Sequence, residues 1–386
     1  MKNVINTEQI PIKLWLDNIE EGALQQAKNL ANLPFTHKWI AIMPDSHRGY
    51  GMPIGGILAA KKVIIPNAVG VDIGCGMCSL RTDLKEIDTE HLKSIMGIIR
   101  ETVPVGFNHH SKKQDVKWMP ESKSNKSLPI VDREYEKAMY QIGTLGGGNH
   151  FIEIQKGSDG FIWIMIHSGS RNIGYAAAKY YNDKAKEMNQ MWFSKVPKDL
   201  SFFPLGTDEF TDYLNEMDYC IEFALNNRKL MMERVKNAFR EIIQNVDFSN
   251  FINKPHNFAS WEHHFGKNVI VHRKGATRAR EGELGMIPGS QGTSSYIVKG
   301  KGNPDSFESC SHGAGRIMSR TKARNTLSIE KETAWLDSMG ILHAIRSEND
   351  LDEAPGSYKD IEKVMALQAD LVDIEIELKP LAVIKG

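Results

Sequence analysis

Four segments of this chain set histidine, cysteine, aspartate or asparagine near glycines at the ends of apolar runs, and a fifth sets histidine and asparagine in a polar turn. WIAIMPDSHRGYG places Asp45 and His47 just past a strand-like run, Trp39–Met43, and VGVDIGCGMC carries Asp72, Cys75 and Cys78 in a glycine-spaced turn. GTLGGGNHFIEI presents Asn149 and His150 after three glycines, FIWIMIHSGSRNIG ends an apolar run at His167, and KPHNFAS holds His256 and Asn257 in a short polar turn. Reactive residues delivered from separate strand ends onto one edge are how enzymes assemble a site. Carboxylate, imidazole and thiolate together suit one or two divalent ions such as Mn2+ or Zn2+, and a thiolate can bridge two of them. Taken singly, each histidine is more often a hydrogen-bonded core residue. Cys75-x-x-Cys78 has no second ligand pair of zinc-knuckle spacing, so Cys75 reads as the site thiol and Cys78 as a buried strand residue.

A second group of segments suits phosphate. HRKGATRAREGELGMIPGSQGTSSYIVKG, His272 to Gly300, is rich in glycine, serine and arginine, and backbone N–H groups in such turns wrap anions. SCSHGAGRIMSRTKA sets His312 among small residues that let a bulky phosphate approach. It is expected at the start of a helix carrying Arg316, Arg320 and Arg324 at a spacing of four. A helix cap with a basic surface stripe would account for everything there except the histidine.

These residues need a scaffold of strands with helices beside it. Trp39–Met43, Phe161–Ile166, Val269–Val271 and Leu381–Ile384 are strand-like runs. From Tyr175 to Val246 apolar residues recur every three to four positions, which predicts helix and a packing surface. The expected fold class is α+β: a single large domain over residues 1–386, with a mixed-sheet core and a helical segment inserted at about 175–250. No regular alternation of strand and helix supports a Rossmann-like sheet. The polar stretch Asn108–Pro129 reads as a loop.

Composition narrows the partners. Lys+Arg and Asp+Glu number 48 each, so no bulk field draws a polyanion and any nucleic acid must use a local patch. Lys267–Asn325 is such a block, with eleven bases against four acids, whereas Thr326–Gly386 carries thirteen acids against six bases. A basic block beside glycine-rich turns suits phosphate ligands; the alternative is that the two stretches neutralise each other within the chain. No apolar run of membrane-spanning length and no leader-like segment is found, and four cysteines make no disulfide scaffold. A cytoplasmic location without membrane attachment is expected.

Together, PDSHRGYG, VGVDIGCGM, GTLGGGNHFIE, HSGSR, PHN, RKGATRA, PGSQGTSSY, SHGAGR and the final Lys-Gly resemble, in order and along nearly the whole chain, the RtcB family of RNA ligases. The resemblance implies two Mn2+ ions bridged by Cys75, with Asp72 and His150 completing one ion's ligands and His167 and His256 the other's. It implies that His312 attacks the α-phosphate of GTP and becomes guanylylated. It further implies a nucleotide pocket formed by Asn149, His150, Phe151, Ile152, Glu153, His256, Asn257, Pro288, Gly289, Ser290, Gln291, Ser295, His312, Gly313, Ala314, Gly315, Tyr358 and Lys385. The substrates would be RNAs with broken ends, tRNA halves or damaged RNA, with an accessory activating factor as a further partner. Gln291, Asn172 and Ser46 depart from the family's usual wording, and none removes a ligand or the nucleophile. Two other readings remain: a binuclear metal phosphoesterase, which has no need of His312, and a non-catalytic RNA-binding paralogue.

Overall fold

The computed structural model describes residues 1–122 and 127–386, and its core is two sheets flanked by helices. The six-stranded sheet runs in the order Asn3–Ile5, Ile12–Leu14, Thr36–Tyr50, Met52–Ala60, Lys267–Lys274, Asn257–His264. Ile12–Leu14 and Thr36–Tyr50 are parallel, joined by helix Glu21–Ala31; the other neighbours are antiparallel. The seven-stranded sheet is antiparallel throughout, in the order Phe248–Pro255, Gly76–Thr82, Ile162–Ser168, Phe151–Gly157, Val372–Lys385, Ser295–Gly300, Leu284–Ile287. The chain is therefore α+β with a mixed sheet, as its apolar runs suggested. The polar stretch at 108–129 is mostly irregular, with a short turn of helix at Val116–Trp118, and its residues 123–126 lie outside those described.

Helix Asp208–Ile242 explains the long Met-rich periodicity. Its 35 residues extend about 52 Å at 1.5 Å per residue, enough to serve two cores. Phe210, Tyr213, Met217 and Phe223 pack with helices Pro129–Gln141 and Arg171–Met191. Met231, Met232, Val235 and Phe239 pack on Ile152, Ile154, Ile164 and Ile166 of the seven-stranded sheet. Thr207 starts the helix by accepting the N–H of Phe210, and Asp208 and Glu209 favour its positive end. The expected single helical segment is broken at residues 192–207, where Pro197, Pro204 and Gly206 cannot continue a helix and Phe203–Pro204 pairs with Val63–Ile64.

Strand alternation sorts the sheet's two faces. Ile152 and Ile154 point to the helices, whereas Phe151 shares the other face with Met77, Trp163, Met165 and Val383. A third core, including Ala41, Met43, Ile57, Val271, Ile287 and Val298, joins the two sheets and carries the short pair Ala276–Arg278 and Ser309–Ser311, which leads into His312. Among the described residues no helix is long and apolar enough to cross a membrane.

Candidate active site

Asp72, Cys75, His150, His167 and His256 converge although they come from four places: a turn before Gly76–Thr82, the residue before Phe151–Gly157, the end of Ile162–Ser168, and the single residue between Phe248–Pro255 and Asn257–His264. Cys75 Sγ lies 3.4 Å from His150 Nε2 and 3.3 Å from His167 Nε2. His256 Nε2 is 3.3 Å from His167 Nε2, and Asp72 Oδ2 is 3.2 Å from His150 Nε2. The other nitrogens set the tautomers. His150 Nδ1 faces the Leu145 carbonyl at 2.9 Å and His167 Nδ1 the Asn149 carbonyl at 3.1 Å. Carbonyls only accept, so both Nδ1 atoms carry protons and both Nε2 atoms turn lone pairs toward the thiol.

Burial makes this concentration of lone pairs costly without a cation. It pushes the Cys75 thiol well up, reinforced by the Asp72 charge, and pushes His167 and His256 well down, helped by neighbouring imidazoles. Burial also penalises the Asp72 carboxylate, yet the His150 side chain beside it and the Arg171 charge hold it below its ordinary range. Neutral imidazoles, a carboxylate and a thiol that a metal would ionise form a donor set that fits a divalent ion. Cys78 faces away, buried among Leu80, Ile164 and Ile166, with its thiol pushed up to about 12 by burial. A second group of potential ligands, Glu262, His264 and Glu308, is already compensated: Arg273 meets Glu262 at 2.5 Å and Arg280 meets Glu308 at 3.2 Å.

His312 stands beside this cluster, its ring centroid 4.8 Å from that of His256. The helix expected to begin there begins instead at Arg320, capped by Ser319, because Gly315 at φ +75° turns the backbone out of helical geometry. What fixes His312 is Asp45, which is fully buried. One carboxylate oxygen accepts both the His312 main-chain N–H at 3.0 Å and its Nδ1–H at 2.7 Å. Burial opposes the Asp45 charge, but His312 and Lys359 hold the group ionised, below the ordinary carboxylate value. Sequence reasoning quoted Asp45 without giving it this role. It does not lie past the strand: Thr36–Tyr50 continues through it and His47 with register shifts. His47, lowered to about 4 chiefly by burial, donates its Nδ1–H to the Asp45 carbonyl.

A cavity of about 250 Å3 opens between the cluster and His312. Asn149, Phe151, Glu153, Asn257, Pro288, Gly289, Ser290, Gln291, Gly313, Ala314, Gly315, Tyr358 and Lys385 line it, with His47, Arg316, Arg320 and Glu353. Ile152 is not among them, since alternation sends its side chain to the helix-packed core. Ser295 acts from behind by accepting the Gly289 N–H at 3.1 Å. Asn257 is a brace, donating to the Asp72 carbonyl and accepting from the Gly275 N–H. Gln291 is spent on the Glu353 carbonyl and the Ala344 N–H. Glu153 is wholly buried, which raises its pKa to about 8.

Glu353, unremarked in the sequence, gathers the wall opposite: Arg316 at 3.2 Å, Lys385 at 3.3 Å, Arg320 at 3.5 Å and the Tyr358 hydroxyl. Arg324 meets Asp352 at 2.6 Å, Lys299 meets Glu375 and Lys301 meets Asp373. Much of the basic block is thus neutralised by the acidic tail, and Arg316 lies outside the helix that carries Arg320 and Arg324.

The family described as tRNA-splicing ligase RtcB matches residues 26–386. The RNA-splicing ligase RtcB of Escherichia coli strain K12 is 40% identical over 410 residues, covering 99% of this chain and 99% of that protein. The tRNA-splicing ligases RtcB of Pyrobaculum aerophilum and Methanococcus maripaludis are 31% and 30% identical, covering 98% and 97% of this chain and 95% and 93% of those proteins. Matched by that family over residues 26–386 and by such relatives over nearly its full length, the chain belongs to the RtcB family of RNA ligases.

Proposed function

We propose that this chain joins an RNA 3′-phosphate end to an RNA 5′-hydroxyl end, in tRNA splicing or RNA repair, with GTP as co-substrate and His312 as the residue that carries GMP. The observation that carries the reading is the Asp45–His312 pair at the edge of a glycine-lined cavity. With its Nδ1–H given to Asp45, His312 keeps its lone pair on Nε2. That nitrogen attacks the α-phosphorus of GTP, a P–N bond forms, and the bridging P–O bond breaks to release pyrophosphate. Asp45 balances the positive charge that the ring then carries. An oxygen of the RNA 3′-phosphate next attacks the same phosphorus, the P–N bond returns its electron pair to His312, and the RNA end is left as a 3′,5′-linked diphosphate with guanosine. The 5′-hydroxyl of the second RNA then attacks the 3′-phosphorus, losing its proton and expelling GMP. An end that begins as a 2′,3′-cyclic phosphate enters this scheme after hydrolysis.

Asp72, Cys75, His150, His167 and His256 would hold two Mn2+ ions, which supply positive charge to phosphate oxygens as negative charge builds there. The chain's own groups position the nucleotide. Phe151, Tyr358, Lys385 and Glu153 line the cavity beside Gly313–Gly315, whose lack of bulk leaves room for phosphate. Gly275 is required beside the nucleophile, since a Cβ there would lie 3.0 Å from His312 Cε1. The test is incubation with α-labelled GTP and Mn2+ followed by a denaturing gel. An acid-labile, alkali-stable label is expected on the wild-type protein and none on His312→Ala. A labelled His312→Ala variant would overturn the assignment, and metal without an adduct would favour the phosphoesterase reading.

A further inference from the structure

Phe107 is 100% exposed, although it lies on an ordered turn and not on a loose end. The Asn108 N–H closes the turn onto the Val105 carbonyl at 3.2 Å, with Gly106 at φ +63° supplying the bend. The turn is tied to the active site: the Gly106 N–H donates at 2.9 Å to the carbonyl of Gly146, in the loop whose Leu145 and Asn149 carbonyls orient His150 and His167. Phe107 also lines a second cavity of about 450 Å3, which shares Gln291, Arg320, Glu353 and Lys385 with the first. Charges around it nearly cancel, with Arg320, Arg324 and Lys385 against Asp350, Asp352 and Glu353. Such a space disfavours a phosphate inside it and suits a neutral, flat group. Aromatic rings beside a strand's path hold bases by stacking, which tolerates any sequence.

We propose that Phe107 is the stacking platform for the base of the RNA nucleotide next to the join. The proposal rests on the RNA-joining reading, and deepens it by naming where a single-stranded end is held. The test uses the full chain with Mn2+ and GTP and two oligoribonucleotides, one ending in a 3′-phosphate and one in a 5′-hydroxyl, each with 2-aminopurine as its terminal base. Wild type is expected to quench the fluorescence of one of them, which identifies the strand. Phe107→Ala should lose that quench and raise KM for the same RNA by roughly tenfold, whereas Phe107→Trp should restore both. Thermal melting checks that the variants remain folded. Equal quenching and equal RNA KM in wild type and Phe107→Ala would overturn the proposal. Should wild type join no RNA, the joining reading fails, and the quench comparison still decides the role of Phe107.

Discussion

Replacing Asp45 by asparagine changes one atom's chemistry and almost no volume, so it isolates the carboxylate's charge. In the wild-type chain one oxygen takes two hydrogen bonds from His312, at 3.0 and 2.7 Å, inside a fully buried pocket. No room exists for rearrangement: a Cβ on Gly55 would lie 2.8 Å from Asp45 Oδ1, and one on Gly315 would lie 2.1 Å from the Asp45 carbonyl. An asparagine that presents its oxygen to His312 keeps both bonds but loses the charge opposite the cationic ring. One that presents its amide nitrogen also reverses the tautomer and removes the lone pair from Nε2. A pair of unit charges about 4 Å apart at an effective permittivity near 20 interacts by about 4 kcal/mol. At 1.36 kcal/mol per decade, guanylylation should slow by about 10³-fold. The assay is single-turnover formation of the labelled adduct from α-labelled GTP and Mn2+, with melting of the variant measured alongside. A folded Asp45→Asn protein that guanylylates within about threefold of wild type, far short of the shift expected from losing a buried counter-charge, would refute the argument.

Two further outcomes are expected. Cys75→Ala should bind less Mn2+ in equilibrium dialysis and form no adduct, whereas Cys78→Ala should keep both and lose only about 1–2 kcal/mol of stability in urea, as a small buried truncation does; full metal occupancy in Cys75→Ala would contradict the ligand assignment. Burial raises Glu153 to about 8, so between the ordinary carboxylate value and that pH the unfolded chain sheds a proton that the folded chain keeps. Stability should fall as pH rises through that window and level off above it, and Glu153→Gln should flatten the dependence in urea titrations; parallel curves for the two proteins would rule out Glu153 as the cause.

How far the residues announced this arrangement depends on whether their partners are local. Most ligand candidates were legible because Asp72, Cys75, His150 and His167 sit beside glycines near strand ends, as His150 follows Gly146–Gly148, whereas His256 sits in a polar turn without glycine. The long helix was legible for the same reason, its apolar spacing being a property of one segment. Asp45's role was not, since its partner is 267 residues away and nothing local marks a carboxylate that caps a distant imidazole. The helix expected at His312 failed on one left-handed glycine, and Ile152 entered the pocket's roll because motif adjacency ignores strand alternation. Charge counting found the basic block but could not say that Arg324 meets Asp352 or that Glu353 collects Arg316 and Lys385. Strand order escaped entirely, because pairings such as Lys385 with Phe151 join opposite ends of the chain.

The same sequence separations bear on how the protein comes into being. Cys75 meets His150 and His167 across 75 and 92 residues, His167 meets His256 across 89, and Asp45 waits for His312 until most of the chain has been made. Contacts of such long range form slowly and late, after shorter loops have closed. A chain that stops before His256 therefore lacks part of the proposed ligand set, and one that stops before His312 lacks the proposed nucleophile. On the proposed function, ions held by these residues would stabilise only the finished topology, so metal supply would shift the folding equilibrium as well.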